Sequence, residues 1–194
     1  MKFFNIIAPF FDLAMKVVGH SDSLEKVAER IDFSEGDKLL DLGGGTGQLL
    51  NYIPEEVDVT ILDSSEKMLE RARNKVKRQN IEYVKGRGDN MPFPDHIFDH
   101  IVIVDAFHHF NQVDTTIMEL SRVIKPSGQL YILEYTPESN VTRLISAGEN
   151  LVGEPANFFR PSELIDIIKN VGFEFRKPDI SGSTYILEGI YTGV

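Results

Sequence analysis

A glycine-rich stretch, DLGGGTGQLL at residues 41–50, carries the residue types best suited to holding a ligand. Gly43, Gly45 and Gly47 allow the backbone to turn sharply and to approach a bound molecule closely. The predicted strand 37–42, with Asp41 near its end, precedes the glycines, so we predict a strand, a tight turn and then a helix. The first N–H groups of such a helix face a polar or anionic ligand. The stretch therefore predicts a cofactor site.

The spacing of the glycines separates two classes of cofactor. A dinucleotide fingerprint, G-x-G-x-x-G, meets Gln48 at its third glycine when it is counted from Gly43. When it is counted from Gly44, it meets Thr46 at its second glycine. The pattern that remains, D-x-G-x-G-x-G, disfavours NAD but leaves an oxidoreductase as the weaker alternative.

Asp63 closes the next apolar run, VDVTIL, twenty residues after Gly43. An acidic side chain at this position can accept hydrogen bonds from both hydroxyls of an adenosine ribose. The alternative role is to cap the following helix, which Ser64 or Ser65 could also do. We favour the ribose role because both the spacing and the strand position agree with it.

A third polar site follows the third predicted strand, in the stretch GRGDNMPFPD. Asp89 can accept a hydrogen bond from an exocyclic amine, and Met91 and Phe93 offer flat apolar surface close by. The alternative is a polar turn with buried apolar neighbours. The amine-binding role of Asp89 is therefore favoured only when the two earlier motifs are considered with it.

Four segments in this order resemble the class I S-adenosylmethionine-dependent methyltransferases. They are LLDLGGGTGQL, VTILDSSEKMLERAR, GDNMPFPDHIFDHIVI and ELSRVIKPSGQLYILEY. Within that superfamily the chain is most similar to the ubiquinone/menaquinone-biosynthesis C-methyltransferases, which pair a GGTG loop with a start of the type FFNIIAPFFD. The resemblance implies S-adenosylmethionine as cofactor, S-adenosylhomocysteine as product and a small-molecule acceptor.

The resemblance also implies a contact for each part of the cofactor. The implied contacts are Asp41, Gly43, Gly45 and Gly47 for the methionine end, Asp63 for the ribose, Ser64 and Met68 for the adenine faces, Asp89 and Asn90 for the adenine amine, and Asp105 and Ala106 for the region of the transferable methyl. Two positions differ from the quinone enzymes. The segment after the fourth strand reads Ala106-Phe107-His108-His109-Phe110 where the quinone enzymes carry an Arg-Asn pair, and Phe11 stands where a tyrosine before Asp12 is usual.

Methyl transfer from a sulfonium depends mainly on positioning and exclusion of water. A base is needed only when the acceptor must lose a proton. His108 and His109 are the candidates, because imidazole titrates near neutrality, and we lean slightly towards His109. The alternative is that each histidine is packed or hydrogen-bonded at the start of a loop. The histidines of the chain show no ligand spacing with paired carboxylates, so we expect no metal site.

Aromatic side chains concentrate in two segments outside the predicted sheet, residues 3–31 and 136–160. The first holds the run Phe3, Phe4, Ile7, Phe10, Phe11 and Met15, and the second holds Phe158 and Phe159. If some of them face the site, the acceptor is apolar or aromatic, whereas the alternative is that they pack on the sheet. Arg143 and Arg160 could meet an acidic group on the acceptor.

Composition limits the remaining functions. The 194 residues carry a net charge of −10, which disfavours unaided binding to nucleic acid. There is no cysteine, so disulfides, thiolate metal sites and cysteine nucleophiles are excluded, and a cytoplasmic location fits. No apolar run reaches the ~18 residues of a membrane span. The oligomeric state stays open, as does a non-catalytic protein that binds S-adenosylmethionine or S-adenosylhomocysteine.

Apolar runs that alternate with helical patterns predict a single α/β domain over residues 1–194. Its sheet is expected to be Rossmann-like, doubly wound and mostly parallel, with an antiparallel hairpin as its C-terminal edge. The predicted strands are 37–42, 57–62, 81–85, 98–104, 129–135, 173–178 and 184–192, and the predicted helices are 47–53, 65–79, 113–124 and 161–171. We expect residues 3–31, as a helical lid, and residues 136–160, as a second lid, to cover the edge of the sheet where such folds bind ligands.

Overall fold

The computed structural model describes residues 20–151 and 156–193. Within them the strands are β1 Lys38–Leu42, β2 Asp58–Asp63, β3 Ile81–Lys85, β4 Phe98–Val104, β5 Ile124–Tyr135, β6 Phe173–Phe175, β7 Asp179–Ser181 and β8 Thr184–Tyr191. The α-helices are α1 His20–Ala28, α2 Glu66–Lys75, α3 Val113–Val123, α4 Asn140–Leu151 and α5 Pro161–Lys169, and two 3-10 turns span Gln48–Asn51 and Phe107–His109.

The described strands form one sheet in the order β3-β2-β1-β4-β5-β8-β6, with β7 also paired to β8. The first five strands in this order run parallel, and β8 runs antiparallel to β5. Strands buried on both faces explain the near-continuous apolar runs of the sequence. The Rossmann-like, mostly parallel sheet with antiparallel C-terminal strands is confirmed.

Helices α1, α2, α3 and α5 cover the two faces of the sheet, and each of these four buries one apolar stripe. On one face, Ile117 and Leu120 of α3 and Leu164 of α5 pack against the sheet. On the other face, Leu24 of α1 and Leu69 of α2 do the same. The helix α1 and residues 29–31 are the described part of the expected 3–31 lid, and residues 3–19 lie outside the described residues.

The C-terminal pairing is more complex than the predicted hairpin. The predicted strand 173–178 is shortened to β6, and a separate strand, β7, begins after Pro178, which lacks the N–H that a continuous ladder needs. The hairpin is formed by β7 and β8, which turn at Gly182 with φ +61°. Strand β8 is therefore not an edge, since it lies between β5 and β6.

Several predicted boundaries also change. The predicted helix 47–53 is only the 3-10 turn Gln48–Asn51, which ends just before Pro54. The predicted helix 65–79 ends at Lys75. The predicted turn at residues 126–128 lies inside β5, where the register with β4 shifts and Ser127 has φ +65°. None of the described helices is long and apolar enough to cross a membrane.

Candidate functional site

The glycine turn after β1 has the left-handed backbone that its composition predicts. Gly43, Gly45 and Gly47 all have positive φ, between 54° and 77°. The N–H of Gly43 donates to the carbonyl of Leu62 at 2.7 Å, so the turn is fastened to the end of β2. A Cβ on Gly43 would lie 2.5 Å from the Cβ of Ala106. The turn therefore passes β4 at a distance that only glycine permits.

Asp63 fastens the glycine turn to the start of α2. One carboxylate oxygen accepts the N–H of Gly45 at 3.0 Å, and the other accepts the N–H of Ser65 at 2.7 Å. Burial raises the pKa of Asp63, and these two hydrogen bonds oppose the rise. The helix itself is capped by the Ser65 hydroxyl, which accepts the N–H of Met68. Each carboxylate oxygen of Asp63 keeps acceptor capacity for a ribose hydroxyl.

Asp41 is the most deeply buried acid of the site. Its side chain is only 2% exposed, and its Oδ2 has no hydrogen-bond partner among the described residues. Burial, together with the nearby charge of Asp63, raises the pKa of Asp41 to about 7. A Cβ on Gly44 would overlap this carboxylate, so the adjoining backbone needs glycine. A buried acceptor of this kind fits the ammonium group of an amino-acid ligand.

In the loop after β3, Asp89 forms a two-pronged ion pair with Arg87, with N–O distances of 2.8 and 2.5 Å. This pairing lowers the pKa of Asp89 and keeps it ionised. The Met91 and Phe93 side chains do not supply the expected apolar surface. They pack with the hydrophobic core on the α3 side of the sheet, and Phe93 meets Phe98 edge to face.

A cavity of about 190 Å³ opens at the carboxyl ends of the parallel strands. It brings together ten of the predicted residues, namely Asp41, Gly43, Gly45, Asp63, Ser64, Met68, Asp89, Asp105, Ala106 and His109. Three others do not line it. Gly47 lies against Leu50 and Ala72, Asn90 is exposed, and His108 is buried behind the cavity.

Several residues that line the same cavity were not predicted from the sequence. They include Leu24, Thr46, Gln48, Arg87, Phe110, Asn111, Gln112 and Thr116. Arg87 stands within the quoted GRGD stretch, and its charge two residues before Asp89 was a usable signal. No sequence signal identified Thr116, because it approaches Gly88 only in the folded chain. A Cβ on Gly88 would lie 3.2 Å from the Thr116 methyl group.

The two histidines have different surroundings. His109 lines the cavity, and burial together with the neighbouring His108 lowers its pKa to about 3. His108 is buried, and its Nδ1 lies 2.7 Å from Oε2 of Glu134 at the end of β5. The rings of His108 and His109 are 4.0 Å apart between centroids. On another side, Phe158 stacks on His108 at 4.4 Å.

A second cavity, of about 390 Å³, lies along α4. Phe158 and Arg143 are among its lining residues, so the His108 ring contacts His109 of one cavity and Phe158 of the other. Arg160 does not reach this cavity, because it pairs with Glu138 and Glu163. Among the residues that the structure describes, no group of three or more histidines and acids could hold a metal ion.

Comparison with known proteins gives a family for this site. A family model described as a methyltransferase domain matches residues 40–132. A demethylmenaquinone methyltransferase of Thermotoga maritima is 31% identical over 202 aligned residues, which cover 90% of this chain and 87% of that protein.

Solved structures agree on the fold. A chain in the complex between the Haloferax volcanii Trm112 methyltransferase activator and a putative methyltransferase has a TM-score of 0.85 at 20% identity, over 97% of both chains. An S-adenosylmethionine-dependent methyltransferase of Aquifex aeolicus has a TM-score of 0.72 at 25% identity, over 87% of this chain and 89% of that one. The match to the Thermotoga protein over most of both chains shows that the chain belongs to the class I S-adenosylmethionine-dependent methyltransferases, as a relative of the demethylmenaquinone methyltransferase.

Proposed function

We propose that the enzyme methylates a small apolar or aromatic acceptor of the quinol or phenol type. The observation that carries this proposal is the aromatic wall of the cofactor cavity, where Phe110 and His109 stand close to Ala106 at the end of β4. A flat ring can lie against such a wall. The name of the Thermotoga relative, a demethylmenaquinone methyltransferase, supports the same acceptor class.

In this proposal the cofactor supplies an activated methyl group, and the side chains of the protein hold the cofactor in position. Asp63 would hold the ribose, Asp41 the methionine ammonium and Asp89 the adenine amine. Ser64 and Met68 would flank the adenine, and the Asn90 backbone would lie beside its amine. Proximity of this kind accounts for about 7–11 kcal/mol of barrier reduction in favourable systems.

The two expected lid segments have a place in this proposal. Helix α1 brings Leu24 to the cofactor cavity, and the 136–160 segment brings Phe158 and Arg143 to the second cavity. We infer that both segments shield the acceptor from water, within one methyltransferase domain. We also propose a cytoplasmic location for this enzyme.

The test is transfer of a radiolabelled methyl group from S-adenosylmethionine to a panel of reduced demethylmenaquinone, simple phenols and aliphatic amines. We expect labelled product with a quinol or phenol. The variant Phe110→Ala is expected to raise the acceptor KM roughly tenfold, since ~1.4 kcal/mol of lost contact equals a factor of ten.

The matched control is Phe33→Ala, which removes a half-buried aromatic ring that packs edge-on against His100, away from the cavity. This control is expected to leave the KM for the acceptor and the KM for S-adenosylmethionine within twofold of the wild-type values. Transfer to amines alone, or no transfer to any member of the panel by a protein that binds S-adenosylmethionine, would contradict the proposed acceptor class.

A further inference from the structure

One end of the cofactor cavity consists of the loop after β3 and a single threonine of α3. Residues 86–89 line it from the loop, and Thr116 lines it from the helix. The N–H of Gly86 donates to the carbonyl of Asp63 at 3.1 Å, so the loop starts directly beside the acid proposed for the ribose. We therefore expect a base attached to that ribose to lie at this end of the cavity.

Thr116 packs directly against this loop, because position 88 is a glycine. A Cβ on Gly88 would lie 3.2 Å from the Thr116 methyl group and 3.6 Å from Thr116 Oγ1. No side chain at position 88 therefore separates Thr116 from the loop that carries Asp89. The Thr116 side chain is itself held in place, because the residue is only 1% exposed and belongs to the start of α3.

The hydroxyl of Thr116 has no hydrogen-bond partner among the residues that the structure describes. A threonine within a helix often donates to the carbonyl four residues earlier. At Thr116 only the backbone N–H bonds to that carbonyl, which belongs to Gln112, at 2.9 Å. The fold does not seal Thr116 Oγ1 from solvent as it seals Asp41 Oδ2. Since Thr116 is almost fully buried and lines the cavity, the cavity is the space that this hydroxyl faces.

The two polar groups at this end of the cavity complement a purine base. The carboxylate of Asp89 is held ionised by Arg87, and a carboxylate only accepts hydrogen bonds. The Thr116 hydroxyl can donate a hydrogen bond as well as accept one. Adenine presents an amine donor next to a ring-nitrogen acceptor. An acceptor and a donor at the same end of the cavity therefore match the two kinds of group on the edge of the base.

We propose that Thr116 is a specificity-determining residue for the cofactor, and that its hydroxyl forms a hydrogen bond with the edge of the adenine base, at the amine or at a ring nitrogen. This inference deepens the proposed function and rests on its placement of the adenine amine at Asp89. The bond gives the buried hydroxyl the partner that it lacks in the free protein. Thr116 and Asp89 then recognise the base together, one from the helix and one from the loop.

The sharpest variant is Thr116→Val, which keeps the branched shape of the side chain and replaces only the hydroxyl. Thr116→Ser does the reverse, because it keeps the hydroxyl and removes the methyl group. The matched control is Thr115→Val, the same change one residue earlier in α3. Thr115 is exposed and lines neither of the two cavities.

The first measurement is calorimetric titration with S-adenosylhomocysteine, which needs no acceptor. Thr116→Val is expected to weaken binding roughly three- to tenfold, the loss that corresponds to one hydrogen bond between uncharged groups. Thr116→Ser should bind more tightly than Thr116→Val, and Thr115→Val should stay within about twofold of the wild type. Full affinity in Thr116→Val would overturn the inference.

Analogues of S-adenosylhomocysteine identify the atom of the base that Thr116 contacts. In one analogue a CH group replaces N1, in the second a CH group replaces N7, and the third lacks the 6-amino group. For the analogue without the partner atom, the wild type and Thr116→Val should bind equally, to within about twofold. A loss of the same size with all three analogues would overturn the inference, because the hydroxyl would then not contact the edge of the base.

Thermal melts separate this role from a structural one. Because the hydroxyl has no partner among the described residues of the free protein, its removal is expected to leave the unliganded Tm equal to or above that of the wild type. A Tm several degrees lower, together with equally weakened binding of every analogue, would show that Thr116 supports the helix instead.

The variant Asp89→Ala separates this inference from the proposed function. Unchanged affinity in Asp89→Ala would contradict the placement of the adenine amine at Asp89, whereas the analogues would still decide whether Thr116 contacts the base. The methyl-transfer panel tests the acceptor class independently, because none of these binding measurements includes an acceptor.

Discussion

The buried carboxyl of Asp41 links cofactor binding to stability. Its raised pKa, about 7 in the folded protein against about 4 in an unfolded chain, means that folding disfavours its ionised form. Its contribution to stability is complete below about pH 4, falls as the pH rises, and is lost above about pH 7. Ionised Asp41 therefore lowers the stability of the free protein, in which no bound ammonium group balances its charge.

We therefore predict that Asp41→Asn stabilises the free protein but weakens its binding of S-adenosylmethionine. At pH 8 the unliganded variant should be more stable by about 2 kcal/mol or more, a rise in Tm of about 4 °C or more, whereas at pH 4 it should match the wild type. Its affinity for S-adenosylmethionine should fall at least tenfold. Thermal melts at both pH values and calorimetric titration measure the two effects.

The control for this prediction is Asp58→Asn, which changes an exposed aspartate at the start of β2, far from the cavity along the same sheet. It should alter neither the Tm difference between the two pH values nor the affinity. An Asp41→Asn variant with no gain in Tm at pH 8 would contradict the burial of an unsatisfied charge.

Among the single elements, the glycine turn that joins β1 to the 3-10 turn Gln48–Asn51 requires glycine for two separate reasons. Gly43 needs both a positive φ and open space towards Ala106, whereas Gly36 has φ +85° and a Cβ added there would meet nothing within 4 Å. Alanine at Gly36 therefore meets backbone strain alone, about 1–2 kcal/mol. Alanine at Gly43 meets the same strain plus steric overlap, about 1–3 kcal/mol more.

This contrast between the two glycines gives a prediction for the turn. In urea unfolding, Gly43→Ala should lose more stability than Gly36→Ala by at least about 1 kcal/mol, and only Gly43→Ala should weaken S-adenosylmethionine binding, at least tenfold. Equal losses of stability, or intact binding by Gly43→Ala, would show that the contact with Ala106 does not shape the turn.

How far the structure can be predicted from the sequence also differs between elements. The strands and the glycine turn could be predicted, because each is encoded by neighbouring residues such as Asp41 and Gly43. Ten of the thirteen residues predicted for the site line the cavity. The prediction of a helix over residues 47–53 was wrong, because the helical periodicity of this short segment does not distinguish an α-helix from a single 3-10 turn. The partner of His108 could not be predicted, because Glu134 lies 26 residues away and meets it only when β4 and β5 pair side by side.

For the whole molecule, the order of the sheet gathers acids from distant parts of the chain. Asp63, Asp41, Asp105 and Glu134 stand at or next to the carboxyl ends of β2, β1, β4 and β5, which are neighbours in the sheet. The first three line the cofactor cavity, and Glu134 stands behind its histidines. Such an edge is where open α/β sheets bind their ligands. The fold therefore turns scattered acidic residues into one site for a ligand that carries positive charge.

The most direct test of this account is calorimetric titration of the purified protein with S-adenosylmethionine, S-adenosylhomocysteine and NAD, for the wild type, Asp63→Ala and the exposed control Asp58→Ala. We predict saturable binding of the first two ligands and no binding of NAD. Asp63→Ala should weaken binding at least tenfold, and Asp58→Ala should leave it unchanged. Binding of NAD alone, or full affinity for S-adenosylmethionine without the Asp63 carboxylate, would contradict the assignment of this cavity.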